Sequence, residues 1–210
     1  MTVKLLSPLQ VGPLILKNRV VMPAMHMVYT PEGEVTDQLI DFYVERARGG
    51  VALIIIGGCP IDEVSGMSAM VMLNQDRLIP GLARLTRAVH DQGAFIAAQL
   101  YHSGRYSFSA MIGGRQSIAP SAVRSRFTGE VPREMTKPDI RQTIDNYAQA
   151  TRRAREAGFD AVEIIASAGY LISQFLSPIT NFRDDEYGGS FENRMRFGLE
   201  VSDSVREAAG

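Results

Sequence analysis

Phe159 to Arg196 reads FDAVEIIASAGYLISQFLSPITNFRDDEYGGSFENRMR, and its opening segment decides the fold. The apolar run Phe159 to Ile165 has the composition of a short strand. It breaks into a small-residue turn, Ala166 to Gly169, and then presents Tyr170 at the head of a short amphipathic segment. In a parallel α/β protein, a phenol where a strand ends and a helix begins lies on the edge of the sheet where chemistry is done.

Upstream, the same alternation repeats. Asn18 to Ala24 reads as a buried strand closed by Pro23, after a short strand of an amino-terminal hairpin, Leu14 to Lys17. Thr36 can cap a helix over Asp37 to Arg48, where Leu39, Ile40, Tyr43, Val44 and Ala47 recur at helical spacing before Gly49-Gly50. Val51 to Ile56 is a continuous apolar run ended by Gly57-Gly58, the mark of a strand buried on both faces. A helix over Leu78 to Gln92, a strand over Ala94 to Leu100 and a helix over Pro138 to Ala157 follow, the last introduced by the capping-box-like pair Thr136 and Asp139. Between them, Tyr101 to Glu134 is a long irregular segment of the kind that forms lids or binding loops. A final helix over Phe191 to Ala209 would turn Met195, Leu199, Ser202 and Val205 inward.

Strand and helix thus alternate four times, the pattern of a parallel sheet with right-handed crossovers. A doubly wound sheet would carry a G-x-G-x-x-G turn after its first strand. The first turn is instead Pro23-Ala24-Met25-His26, which favours a TIM (β/α)8 barrel. A barrel needs about 250 residues, and the 210 residues supply only the first four βα units. Residues 1–210 are therefore expected to be the amino-terminal half of a longer barrel or to be completed by another chain, since two apolar strand edges would otherwise stay unpaired.

Composition narrows the function. Twenty-two basic residues against 23 acidic give a net charge of −1 with no basic block, so nucleic acid is not an expected partner. No run approaches the roughly 18 apolar residues of a membrane span. Cys59 is the only cysteine, which excludes an internal disulfide and a cysteine-only metal site, and makes a reduced, cytoplasmic setting the default.

Four stretches, NRVVMPAMHMVY, RARGGVALIIIGG, AAQLYHSGR and GYLISQFLSPITNFRDDEYGGSFENRMRF, carry in order a resemblance to the Old Yellow Enzyme family of NADH:flavin oxidoreductases. Among its branches the MHMV turn and the non-histidine motif before Tyr170 are nearest to the 2,4-dienoyl-CoA reductase type. The resemblance implies a (β/α)8 barrel with FMN over the carboxyl ends of the strands. NAD(P)H would reduce the flavin, flavin N5 would pass hydride to an activated C=C bond, and a tyrosine would protonate the neighbouring carbon. The protein's share is orientation and electrostatics.

By the same resemblance, Ala24, Met25 and His26 match the turn bordering the isoalloxazine, and Gly58 matches the small residue beneath it. A tight βα turn with a hydrogen-bonded His26, and a simple strand terminator at Gly58, are the bland alternatives. Gln99 interrupts the apolar run AFIAAQL. Its amide offers both a donor and an acceptor, suited to a pyrimidine edge, or it satisfies a neighbouring backbone group. His102 and Arg105 pin the wall of the site. Tyr170 is the implied general acid, a phenol that can deliver a proton to the forming carbanion; otherwise it is an amphipathic tyrosine at a helix start. Asn181, Arg183, Asp185, Tyr187, Gly188, Gly189, Asn193 and Arg194 fill a family block whose simpler reading is a solvated turn fixed by an Arg–Asp pair. Cys59, Met67, Met70 and Met72 read as packing or loop-lining residues.

The departures concern substrate. Many members place histidines, or a histidine and an asparagine, just before the tyrosine; here Ile165 and Ala168 stand at those substrate-binding positions and donate nothing. The dienoyl-CoA branch has an acidic residue at the position of Ala168 and an arginine at that of Ile179. The family's basic residue near flavin N1 and its phosphate-binding turns belong to strands beyond the fourth, so the 210 residues alone are expected to bind FMN weakly or not at all. Two alternatives to an ene-reductase stay open: a flavin-dependent amine dehydrogenase or demethylase, and an inactive half-barrel that acts as an assembly module, as a homo-oligomer or with a completing half. No metal site is expected.

Overall fold

A computed structural model of the chain describes residues 3–67 and 69–210. The chain opens with an antiparallel hairpin of β1 (Leu9–Val11) and β2 (Leu14–Leu16). Four βα units follow in order. These are β3 (Val21–Met22) with α1 (Asp37–Arg48), β4 (Leu53–Pro60) with α2 (Ile79–His90), and β5 (Phe95–Tyr101) with α3 (Lys137–Glu156). Inside the third unit, β6 (Ile118–Ala119) and β7 (Arg133–Glu134) form a small parallel pair. The fourth unit is β8 (Ala161–Ile164), the short α4 (Leu171–Leu176) and α5 (Phe191–Ala209). Strands β3-β4-β5-β8 form one parallel sheet in that spatial order, so each crossover places the new strand beside its predecessor.

Local signals start the helices. Thr36 Oγ1 accepts from the Leu39 N–H at the head of α1. At α3 the Thr136 hydroxyl accepts from Asp139 N–H while the Asp139 carboxylate accepts from Thr136 N–H, a reciprocal box worth about 1 kcal/mol. Gly158 follows α3 at φ +84°, a left-handed conformation that a residue with a Cβ rarely adopts.

The core lies between the sheet and its helices. Ile54, Ile56, Ile96, Ala98 and Leu100 point to this side and are fully buried. They join Leu39 and Tyr43 of α1, Leu82, Leu85 and Val89 of α2, and Tyr147 and Ala150 of α3 in one apolar cluster. Each large aliphatic side chain so placed contributes roughly 1.5–3 kcal/mol of burial. The other face differs from the expected double burial: Leu53, Ile55, Gln99 and Glu163 on alternate positions are only half-buried. The helices cover one face alone.

Three further differences have physical causes. β3 is two residues long, because Pro23 offers no N–H to continue the ladder, and Val21 on this edge is 41% exposed. β4 does not stop at Gly57-Gly58; its pairing with β5 resumes at Cys59 with Leu100 and Pro60 with Tyr101. A Cβ on Gly58 would sit 2.7 Å from Tyr101 Cβ and Cγ, so this glycine admits a ring and does not end a strand. On α5 the buried stripe is Phe197, Val201 and Val205, whereas Leu199 is 57% exposed and Ser202 is also exposed. Phe175 of α4 stacks on Phe197 at 4.2 Å between ring centres and sets that rotation.

Candidate active site

A cleft of about 820 Å³ opens at the carboxyl ends of the parallel strands. Ala24 and His26 after β3, Gly58 on β4, Gln99 on β5, and Ile165, Ala168 and Tyr170 after β8 all line it. Met25 does not; its half-exposed side chain borders a neighbouring crevice with His26, Gly57 and Gly58. Partial desolvation holds the His26 imidazole below its ordinary pKa, so it is neutral at neutral pH. Met67 and Met70 line the cleft, while Cys59 is fully buried behind it with its thiol pushed up to about 12 by burial. Met72 lies over Gly33, where a Cβ would come within 2.8 Å of its Cγ.

Tyr170 sits at the N-cap of α4, where its carbonyl accepts from Gln174 N–H at 2.8 Å. The preceding turn is left-handed, with Ala168 at φ +58° and Gly169 at φ +77°. Ala168 holds a conformation uncommon for a residue with a side chain. At Gly169 a Cβ would lie 2.7 Å from the Tyr106 hydroxyl, so only glycine lets Tyr106 come this close. The Tyr170 ring meets Tyr101 edge to face at 4.7 Å and Tyr106 at 6.3 Å. Burial raises the Tyr101 phenol well above its ordinary pKa and Tyr170 beside it adds to the shift, so Tyr101 stays protonated. Phe127 packs edge-on against Tyr106 and Phe108, which extends an aromatic wall along the cleft.

Gln99 does not use its amide on a neighbouring backbone group. Its Nε2 donates to Glu163 Oε1 at 2.6 Å, and the two residues are register partners on β5 and β8. Glu163, Tyr101, Tyr106 and Phe127 escaped the sequence reading. Glu163 had a signal: like Gln99, it is a polar residue inside an apolar strand and needs a partner.

A polar scaffold holds the cleft walls. His102 is buried; its Nδ1 accepts from Gly104 N–H at 3.0 Å and its carbonyl accepts from Leu171 N–H, which ties the end of β5 to α4. Nε2 then carries the proton, and burial lowers the imidazole pKa despite Asp62 at 3.7 Å. Gln174 accepts from Arg105 N–H and donates to the carbonyls of Ser103 and Gly169. Arg183 corrects the solvated turn: it is 9% exposed, pairs with Asp185 at 2.6 Å and donates to the carbonyls of Pro120 and Met135. Asn181 donates to the carbonyls of Phe175 and Tyr187. Among the described residues no cluster of His, Cys, Asp or Glu could hold a metal ion, and no helix is long and apolar enough to cross a membrane.

Four βα units whose strand ends frame a cleft with a phenol at the fourth turn define the first four units of a TIM barrel, with the cleft at the end where such barrels carry their sites. Residues 4–210 match the NADH:flavin oxidoreductase / NADH oxidase family, and the chain belongs to it. It is 57% identical over 206 residues to a metal reductase of Desulforamulus reducens, with 98% of this chain and 31% of that protein covered. An NADH oxidase of Thermoanaerobacter brockii is 43% identical over 98% of this chain and 32% of its own length. Morphinone reductase in complex with tetrahydroNAD superposes with a TM-score of 0.93 at 35% identity, over 100% of this chain and 62% of that one. The chain thus spans about a third of the first two relatives and under two thirds of the third.

The family implies flavin and nicotinamide cofactors. The residues present fit a flat ring. Gly57 and Gly58 bring bare backbone to the cleft, Gln99 offers a polar amide there, and the volume is ample for a cofactor-sized molecule.

Proposed function

We propose that these residues form the FMN-facing and proton-donating half of an NAD(P)H-dependent oxidoreductase that reduces an activated C=C bond. When bound, FMN would supply the hydride, drawn from NAD(P)H. Gly57, Gly58 and Ala24 would border the ring, with Gln99 on its pyrimidine edge. Tyr170 holds its proton at Oη on the cleft wall, kept in place by the Tyr101 and Tyr106 rings on its flanks. The observation that carries this reading is the convergence of Tyr170, Gln99 and Gly58 on one cleft although they come from three separate strand ends. Ile165 and Ala168 border the same space without a donor, so a substrate carbonyl must be polarised by other groups.

Tyr170→Phe in the full-length protein tests it. Flavin reduction by NAD(P)H should keep its rate in stopped flow, while reoxidation by an enoyl substrate should slow by about 10²–10⁴-fold, the usual worth of a positioned acid. Equal rates in both half-reactions would remove Tyr170 from the mechanism. A second reading, oxidation of a methylated amine, is favoured by the tyrosine cluster around Tyr170, whose ring faces suit a substituted ammonium cation. Flavin reduction by dimethylamine-type substrates, with no response to enoyl compounds, would replace the first reading with the second.

A further inference from the structure

The register of β5 and β8 sets Gln99 and Glu163 side by side on the half-open face of the sheet. Gln99 lines the cleft, whereas Glu163 beside it is not among the lining residues. At 2.6 Å their contact is short, as expected when one partner is a carboxylate.

A primary amide alone is ambiguous, because a half-turn about its terminal bond exchanges the C=O and NH2 ends at little cost. A carboxylate only accepts. It draws the NH2 end of Gln99 towards β8 and leaves the carbonyl to face elsewhere, where among the described residues no donor meets it. The constraint also immobilises a flexible side chain before any ligand arrives, which lowers the ordering cost of binding. We propose that Glu163 is a positioning residue that fixes the hydrogen-bonding polarity of Gln99, so that the cleft presents an acceptor with an N–H beside it. That pattern complements an N–H flanked by C=O, as on the pyrimidine edge of FMN. The inference rests on the flavin reading above and adds a residue to it that does not itself touch the ring.

The test uses the full-length holoenzyme, stripped of flavin and titrated with FMN and with 3-methyl-FMN, whose ring nitrogen carries a methyl in place of hydrogen. The parent protein should favour FMN by about 10-fold or more, the worth of one well-placed hydrogen bond with its partner left unmet otherwise. Glu163→Gln replaces the acceptor-only group with one that can also donate, so the Gln99 amide can turn either way. The preference for FMN should then fall to about two-fold, the flavin midpoint potential should shift, and the apoprotein should keep its thermal midpoint. Glu163→Asp is the second variant; its shorter carboxylate cannot meet Nε2 at 2.6 Å, and it should lose the preference likewise. An undiminished preference in either folded variant, or none in the parent, overturns the proposal. So does an instability of the Glu163→Gln apoprotein with selectivity intact in Glu163→Asp, which would make the pair structural. Failure of FMN to bind the parent would sink both this inference and the flavin reading, whereas any other adverse result leaves the Tyr170 half-reaction test standing.

Discussion

The helix-backed face of the sheet and the polar scaffold around the cleft solve the same problem by opposite means. On the sheet, backbone groups are paired in a ladder and side chains need only be apolar and of the right size. Between β5 and α3 the ladder is only the short β6–β7 pair, and around the cleft the carbonyls of Ser103, Gly169, Phe175, Pro120 and Met135 lie outside any sheet and still need donors. Gln174, Asn181 and Arg183 supply them. The first region tolerates exchange among hydrophobic residues, whereas each donor in the second is matched to particular acceptors. The fold is thus generic, and the cleft is specific.

The largest expected effect comes from the scaffold. Arg183→Met leaves Asp185 without its partner and two carbonyls without donors, and should cost about 3–5 kcal/mol in urea unfolding, with loss of the cleft's ligand affinity. Ile56→Ala, in the helix-backed face, should cost a comparable 2–5 kcal/mol yet leave the binding properties of the surviving folded protein unchanged. If Ile56→Ala disturbed binding while Arg183→Met spared it, the contrast between the regions would collapse. Gly58→Ala lies where they meet: its Cβ would press on Tyr101, so a loss of about 1–3 kcal/mol should accompany a displaced Tyr101 ring, visible in a crystal structure of the variant.

The smallest effect is electrostatic. Arg133 and the Thr136 hydroxyl and N–H hold the Asp139 carboxyl below its ordinary range. A carboxylate with a depressed folded pKa stabilises the fold above its unfolded value of about 3.9, and that contribution disappears as pH falls through the folded value. Asp139→Asn should therefore lower stability at neutral pH by no more than about 1 kcal/mol, since solvent reaches both partners and screens the pair, and should flatten the acid limb of the stability curve. Parallel acid limbs in parent and variant would deny the box any electrostatic share.

What the sequence made legible follows its range. Thr36, Thr136 and Asp139 act on neighbours three residues away, and α1 and α5 begin and end where their caps and spacing place them. Order and alternation sufficed for the parallel sheet. Contacts set by register between distant strands stayed hidden: Glu163 beside Gln99, Tyr101 against Gly58, Phe175 turning α5 towards Phe197. The burial of Arg183 was hidden for the same reason, since its acceptors on Pro120 and Met135 lie far off in sequence. Tyr170 could be placed at a strand end from its neighbours alone, but the tyrosines that flank it come from β5 and the loop beyond.

The left-handed backbone at Ala168 has a use in protein engineering. Asparagine is, after glycine, among the residues that best tolerate that region. The turn already holds the conformation an asparagine would accept, at a position whose side chain borders the cleft. Ala168→Asn would add an amide donor there without asking the chain to refold, which makes this turn a natural place to retune which polar substrates the cleft accepts.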